Sequence, residues 1–486
     1  MTSTRRSIVL ATFSHYAAQA IGITSMLLLS RLLLPTEIGV YSIGAAVLAI
    51  IHVFRDFGVS SYLTREPTLD KHKVGTCFAV SLAIAWLSAL VLLLLTPMVV
   101  NLYALPGLRS VLYVLIANLL LVPFSSIRIA LLRRDMRFDA LLWVEIVSAL
   151  ANAGVAVGMA LAGYSYLSLA YGNLAAMVAS TAVARRYAVS IPLGRPSLAS
   201  WRSVCSFGGM SLTLNLVIRL STQAPMLIVG KLVDMQATGL LSRAMGLSEL
   251  LLTVGRQTVA TATFSAVSAK LRDGQEIGTD YRQAVAYLAV VAMPISAFMI
   301  VMARPLLHAM FGPNWEAADN LVQIFCFANL FLPFTIFNGS FLVAVGRIDS
   351  HLRIESLFSP LKAAVWLLAA PFDLLVAARG YVLLHLLSLA VSCVMLDRVI
   401  SFDWRQVMRS LLPCIPISLA AVLPATLLLA TDDVTRFGSL ATLSLGAAAG
   451  AAAWLATLFL FRHPFAGEVR LLAAGARQTL HGLTRR

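Results

Sequence analysis

Fourteen apolar stretches of about 20 residues, joined by short basic connections, constrain this 486-residue chain more than any single motif does. They run approximately over 8–30, 38–62, 75–98, 109–131, 138–162, 164–184, 204–230, 237–263, 283–303, 317–341, 352–371, 376–396, 410–430 and 438–461. About 20 apolar residues in a helix cross the hydrocarbon of a bilayer. Lipid offers the backbone no hydrogen-bond partners, so each stretch satisfies its own N–H and C=O groups as a helix. Composition removes the soluble alternative: 59% of residues are hydrophobic and 12% charged, with a mean hydropathy of +0.86, beyond the range of soluble domains. The sequence predicts an all-α membrane protein of about 14 transmembrane helices.

The basic residues orient these helices. With the N-terminus cytoplasmic, seven of the 37 Lys and Arg side chains fall on outer connections: Arg31, Arg109, Lys231, Arg243, Arg304, Arg379 and Arg436. Four more, Arg55, Arg219, Arg256 and Lys362, fall within spans, and all the others gather on the inner side. Short basic loops stay cytoplasmic, so both termini are expected inside. The net charge of +15 then reflects loops facing an anionic leaflet, with no need for nucleic acid. The first apolar stretch lacks a cleavage pattern and is read as a retained span. The five cysteines stand singly, with no disulfide or metal-ligand spacing. No nucleophile elbow or phosphate loop is present. The longest connections, 185–203 and 264–282, hold about 19 residues each, too few for a catalytic domain. Neither enzymatic activity nor a cofactor or metal is expected.

One span departs from plain hydrophobicity. Across 204–230 the residues Ser211, Asn215, Arg219 and Gln223 recur every four positions, which places them on one helical stripe. A charge at the bilayer centre costs about 2.5–3.5 kcal/mol on insertion scales, so such residues line a cavity or a polar interface. Pro225 removes a backbone donor and frees the carbonyl of Ser221 just beyond the stripe. In the following span Glu249 and Arg256 stand seven apart, too far to pair directly. Arg55 is followed at once by Asp56, so a structural ion pair competes with a binding role there.

A repeat appears at a separation near 200 residues. It matches Leu32 with Leu232, Gly39 with Gly239 and Ser42 with Ser242, and it places His15 on Asn215 and Gln19 on Arg219. A one-residue shift aligns Arg55 with Arg256, and a separation of 210 pairs Glu145 with Glu355 and Asn152 with Lys362. The separation spans an even number of helices, so the halves run parallel about an axis along the membrane normal. The expected organisation is an N-terminal lobe over 1–186 and a cytoplasmic linker over 187–203, followed by a C-terminal lobe over 204–398. Two six-helix lobes would thus meet around a central cavity. Helices 13 and 14 over 399–461 and a basic amphipathic tail over 462–486 complete the chain.

Three stretches carry a family resemblance: S-R-L-L-L-P-T-E-I-G-V-Y over Ser30–Tyr41, D-F-G-V-S-S-Y-L over Asp56–Leu63, and R-P-L-L-H-A-M-F-G-P-N-W-E-A-A over Arg304–Ala318. They resemble the polysaccharide transporter family, the Wzx-type flippases of lipid-linked oligosaccharides. Its superfamily also includes multidrug exporters and peptidoglycan-precursor flippases. Ser265 stands where members often carry proline. The resemblance implies a bacterial inner-membrane protein that moves undecaprenyl-diphosphate-linked sugars to the outer leaflet. Its partners would be that substrate, membrane lipids, and the polymerase and glycosyltransferases of the pathway. A diphosphate in a low-dielectric cavity favours cationic contacts. Arg219 and Arg256 are the first candidates for them, with Arg55 and Lys362 also lining the path. His15, Gln19, Asn215 and Gln223 suit sugar hydroxyls, and Asp56 and Glu249 are the carboxylates available for ion coupling.

Two other readings stand beside this one. A cation-coupled drug exporter of the same fold would present mainly carboxylates, whereas the deep charges here are mostly basic. A non-transporting scaffold would have little use for a midplane arginine. In the tail, Leu472, Ala476, Leu480 and Leu483 share a helical face near Arg470, Arg477 and Arg485. That pattern suits a helix lying on the inner leaflet, with transport expected to survive truncation after Pro464.

Overall fold

The computed structural model describes residues 2–55, 63, 66, 69–187, 209–249, 278–400, 403–430 and 434–470. Apart from short turns and caps, these residues form helices. The protein is an all-α multi-pass membrane protein. Among the described residues ten helices are long and apolar enough to cross a bilayer, and one bent pair, Pro313–Asn329 with Leu332–Val343, makes an eleventh candidate. The spans expected near 8–30 and 352–371 fall on long but less apolar helices. The span expected over 237–263 is described as far as residue 249 and is helical there.

The chain divides into two compact units, Met1–Ser242 with Ser359–Leu374, and Arg243–Phe358 with Leu375–Arg486. The first unit holds α1 (Thr2–Leu32), α2 (Pro35–Arg55), α3 (Lys71–Tyr103), α4 (Pro106–Arg134), α5 (Phe138–Leu161), α6 (Leu167–Arg186) and α7 (Gly209–Leu232). At 33 residues α3 is about 50 Å long, well beyond the ~30 Å hydrocarbon layer. Asp70 starts it as an N-cap, accepting from the Lys73 N–H at 2.7 Å. Ala104 in the left-handed region ends it, and Pro106 at the first turn of α4 starts the return. Outward residues of α3 such as Leu87, Leu94 and Met98 are largely exposed, as a lipid-facing surface requires.

Small residues let the helices approach. Gly172 of α6 packs against Ala156 and the Asn152 carbonyl of α5, and Gly44 of α2 against Val111 and Leu115 of α4. Without a strong hydrophobic drive between helices in lipid, such close packing and interhelical hydrogen bonds hold the bundle. One polar network ties four helices of this unit: the Asn118 side chain donates to the Asn173 carbonyl at 3.1 Å, Asn152 donates to Asn173 Oδ1 at 3.4 Å, and Asn173 donates to the Tyr41 hydroxyl.

The second unit begins within α8 (235–249) and continues with α9 (Gly278–Val301), α10 (Ala303–Phe311) and a 3-10 turn (Pro313–Ala318). There follow α11 (Asp319–Asn329), α12 (Leu332–Ala344), α13 (Ile348–Ala369), α14 (Leu374–Ile400), α15 (Trp404–Leu411), α16 (Cys414–Ala430) and α17 (Val434–Leu460). The second half of α13, with Lys362, belongs to the first unit. Around α9 a core of Tyr281, Val285, Leu288, Phe337 and Phe341 is closed by the Tyr281 hydroxyl donating to Asn338 Oδ1 at 2.7 Å. The R-P-L-L-H stretch forms α10, and Arg304 reaches forward to Glu316 at 3.0 Å while His308 holds the other carboxylate oxygen. Trp315 is fully buried beneath Arg243, whose guanidinium lies 5.9 Å from the ring.

The tail does not start as a free surface helix. His463 and Ala466 are buried, and Phe465 and Val469 pack on a core of Ala289, Val290, Cys414, Ile417 and Leu458. The apolar face at Leu472–Leu483 lies outside the described residues.

Candidate functional site

Arg219 stands midway along α7, and its side chain is exposed, as is that of Asn215; Gln223 is half-buried. Among the described residues no carboxylate forms an ion pair with Arg219. The Thr222 hydroxyl donates to the Arg219 carbonyl at 3.1 Å, one turn before Pro225 breaks the regular ladder. The far end of α7 is anchored to α3: the Tyr103 hydroxyl donates to the Leu227 carbonyl at 2.9 Å, and Lys231 Nζ donates to the Leu102 carbonyl at 2.6 Å. The stripe therefore lies on a helix fixed beyond its proline and bearing before it a guanidinium that no carboxylate pairs with among the described residues.

His15 and Gln19 of α1 are half-buried in the same unit. His15 Nε2 is buried without a hydrogen-bond partner among the described residues, which leaves it a polar atom to offer. Lys362 is 4% exposed, so it lies in protein and does not face lipid. Glu249 is exposed on α8 in the second unit, and both it and Glu355 lie within electrostatic range of Tyr381. Sequence reasoning missed Tyr381, which carries no charge and sits in an ordinary apolar run. The Arg55 side chain, Asp56, Arg256 and Ser265 lie outside the described residues.

The repeat has a physical counterpart. Within the first unit Ser42 Oγ donates to Ser242 Oγ at 2.8 Å. A Cβ on Gly39 would collide with the Met235 carbonyl, and a Cβ on Gly239 with the Pro35 carbonyl. Pro35 and Met235 are themselves 200 apart, as are the glycines, so the two contacts are images of one another. Reciprocal contacts of this kind are the signature of a two-fold interface. Gly230 adds to the closure, with Ile43 where its Cβ would stand. The start of α2 and the start of α8 thus touch backbone to backbone, at the end of the bundle away from the arginine-rich connections.

Comparison with known proteins places this arrangement. Residues 28–320, more than half of the chain, match the family model described as polysaccharide biosynthesis protein. The teichuronic acid biosynthesis protein TuaB of Bacillus subtilis is 21% identical over 334 residues, 68% of each chain. The lipopolysaccharide biosynthesis protein WzxC of Escherichia coli is 19% identical over 398 residues, 80% of each chain. Among solved structures, the lipid II flippase MurJ in an inward closed conformation superposes with a TM-score of 0.74 at 10% identity, covering 95% of this chain and 100% of that one. An inward-facing multidrug-resistance MATE transporter gives a TM-score of 0.58 at 14% identity, covering 80% and 94%. The chain belongs to the polysaccharide biosynthesis protein family and has the fold of the multidrug/oligosaccharidyl-lipid/polysaccharide exporter superfamily.

Proposed function

We propose that the protein is a flippase, moving undecaprenyl-diphosphate-linked oligosaccharides from the inner to the outer leaflet of the bacterial inner membrane for exopolysaccharide, capsule or O-antigen synthesis. The observation that carries this reading is Arg219, a guanidinium midway along a membrane helix with no carboxylate paired to it among the described residues, in a chain of the polysaccharide biosynthesis family. A lone cation at that depth gains most from an anionic ligand, and a lipid diphosphate supplies one with its own hydrophobic tail. Arg256, Arg55 and Lys362 are proposed to extend the cationic path, and His15, Gln19, Asn215 and Gln223 to meet sugar hydroxyls. Asp56 and Glu249 are the proposed coupling carboxylates. The names of TuaB, a teichuronic acid biosynthesis protein, and WzxC, a lipopolysaccharide biosynthesis protein, support the substrate class.

The transport step follows from the symmetry. Two lobes related by a pseudo-two-fold axis and meeting at Gly39 and Gly239 would close the outer end of a central cavity, and rocking them apart would open it. Both termini are assigned to the cytoplasm on the positive-inside asymmetry, with the polymerase and glycosyltransferases of the pathway acting before and after transport.

The test is deletion of the gene followed by a leaflet assay of the lipid-linked sugar. Accumulation on the cytoplasmic leaflet, relieved by the wild-type gene, is expected. Accumulation on the outer leaflet, or none, rejects the reading. A drug exporter would instead show unchanged lipid-linked sugar with altered cation resistance.

A further inference from the structure

Helix α9 carries a proline two turns before its end, and a side chain from α17 completes the hydrogen bonding that this proline breaks. Pro294 has no N–H, so the carbonyl of Val290, four residues earlier, loses its helical donor. Val290 and Pro294 are both buried, in a helix apolar enough to cross the bilayer. Lipid and packed apolar side chains offer an orphaned carbonyl no donor, so a neighbouring helix has to supply one. Trp454 of α17 does so: its Nε1–H donates to the Val290 carbonyl at 2.8 Å. An indole has this one donor and no acceptor, so the contact uses its whole hydrogen-bonding capacity.

The bond sits within a longer seam. Ala289 and Val290 of α9 share a core with Cys414 and Ile417 of α16 and Leu458 of α17, and the Trp454 ring packs against it. Just past the end of α17, Phe465 meets Tyr287 of α9 edge to face, with ring centroids 5.4 Å apart. All of these residues belong to the second unit. A helix broken by proline bends most readily at the missing bond. Bending α9 there would draw the Val290 carbonyl away from the indole, so α17 restrains α9 at its weakest point.

We propose that Trp454 is a positioning residue: its indole N–H stands in for the backbone donor that Pro294 removes, holds α9 in one conformation, and makes α9, α16 and α17 move as one body. α16 and α17 then serve as a brace for the second unit. The brace rests on the contact geometry and not on the transport reading. Under that reading, its use is to keep one lobe rigid while the lobes rock.

The experiment is a double-mutant cycle on the full chain purified in detergent, read by melting temperature and by hydrogen exchange of the α9 amides. Trp454→Phe keeps an aromatic ring and deletes the N–H, whereas Pro294→Ala gives the Val290 carbonyl a helical donor again. With Pro294 in place, Trp454→Phe is expected to speed exchange in α9 by about tenfold or more and to lower the melting temperature. In the Pro294→Ala background the same change is expected to alter neither, because the carbonyl no longer needs the indole. Trp143→Phe, which removes an exposed indole on α5, is the control and is expected to behave as wild type. Equal effects of Trp454→Phe in the two backgrounds would mean that the ring only packs, and would overturn the proposal. So would the absence of any effect with Pro294 in place. If Trp454→Phe does not accumulate, recovery of the protein by adding Pro294→Ala supports the proposal, and continued failure overturns it.

Discussion

Arg219 is the residue on which the transport reading turns, because no carboxylate among the described residues pairs with it. Losing a charge-assisted contact to the substrate would cost about 1.5–3 kcal/mol of binding. Arg219→Ala is therefore expected to reach the membrane at wild-type abundance yet export little polymer. Arg219→Lys should keep partial export, since charge survives and the bidentate fork does not, and Arg219→Glu should export none. Arg31→Ala, in the last turn of α1, is the control. Immunoblots and surface polysaccharide in a complemented deletion strain give the measurement; full export by Arg219→Ala at matched abundance removes the diphosphate role. At Asp70 the capping bond from the Lys73 N–H holds the carboxyl below its ordinary pKa of 3.8. A depressed carboxylate stabilises the fold above its unfolded pKa and loses that contribution as pH falls through the folded value. Melting temperatures of wild type and Asp70→Ala should thus differ at neutral pH and converge as pH falls through the folded value. Arg219 was legible in sequence, as a charge in an apolar run, whereas the capping role of Asp70 emerges only from the structure. Tyr381 was not legible either, because only folding brings the carboxylates of α8 and α13 within its electrostatic range.

At the scale of elements, the glycines of α2 and α8 show what a repeat can and cannot tell. Matching Gly39 with Gly239 and Ser42 with Ser242 gave equivalence, but nothing in a linear alignment says that equivalent residues touch. Contact arises because an axis of symmetry passes between them, and only there can carbonyls approach where a side chain would stand. Gly39→Ala or Gly239→Ala must push the two helix starts apart, at a cost of about 1–3 kcal/mol typical of overpacking. Each is expected to raise solvent labelling of a cysteine placed at Ser42; unchanged labelling would mean the helices yield in some other way. The tail carries the opposite lesson. Its charge and periodicity suggested a dispensable surface helix, yet Phe465 and Val469 pack against the bundle. The periodic residues begin only at Leu472, so the preceding turn gave no pattern by which to separate it from the tail. Truncation after Pro464 is expected to destabilise the protein by about 1–3 kcal/mol, and truncation after Arg470 to leave melting temperature and export near wild type. Equal stability of the two truncations would show that the packed turn contributes nothing.

For the whole molecule, the span count, the basic asymmetry and the repeat were all readable because each repeats one physical constraint many times. The pairing of distant helices was not, since apolar helices carry few marks of their neighbours. The proposed alternating access makes a demand that neither the sequence nor one conformation meets: the contact between the start of α2 and the start of α8 would have to break in each cycle. Ser42 and Ser242 offer a direct test, since their hydroxyl oxygens lie 2.8 Å apart and cysteines there would stand near disulfide reach. In a background with the native cysteines replaced by alanine, Ser42→Cys/Ser242→Cys is expected to crosslink under mild oxidant. Export should then stop, and it should resume after reduction. Each single cysteine should export normally in both conditions, which separates the lock from the substitutions. If the rocking reading is right, the locked protein should also accumulate lipid-linked sugar on the cytoplasmic leaflet, because loading from that side stays open while release is blocked. Continued export by fully crosslinked protein would show that this closure is static, and that any moving gate lies elsewhere in the bundle.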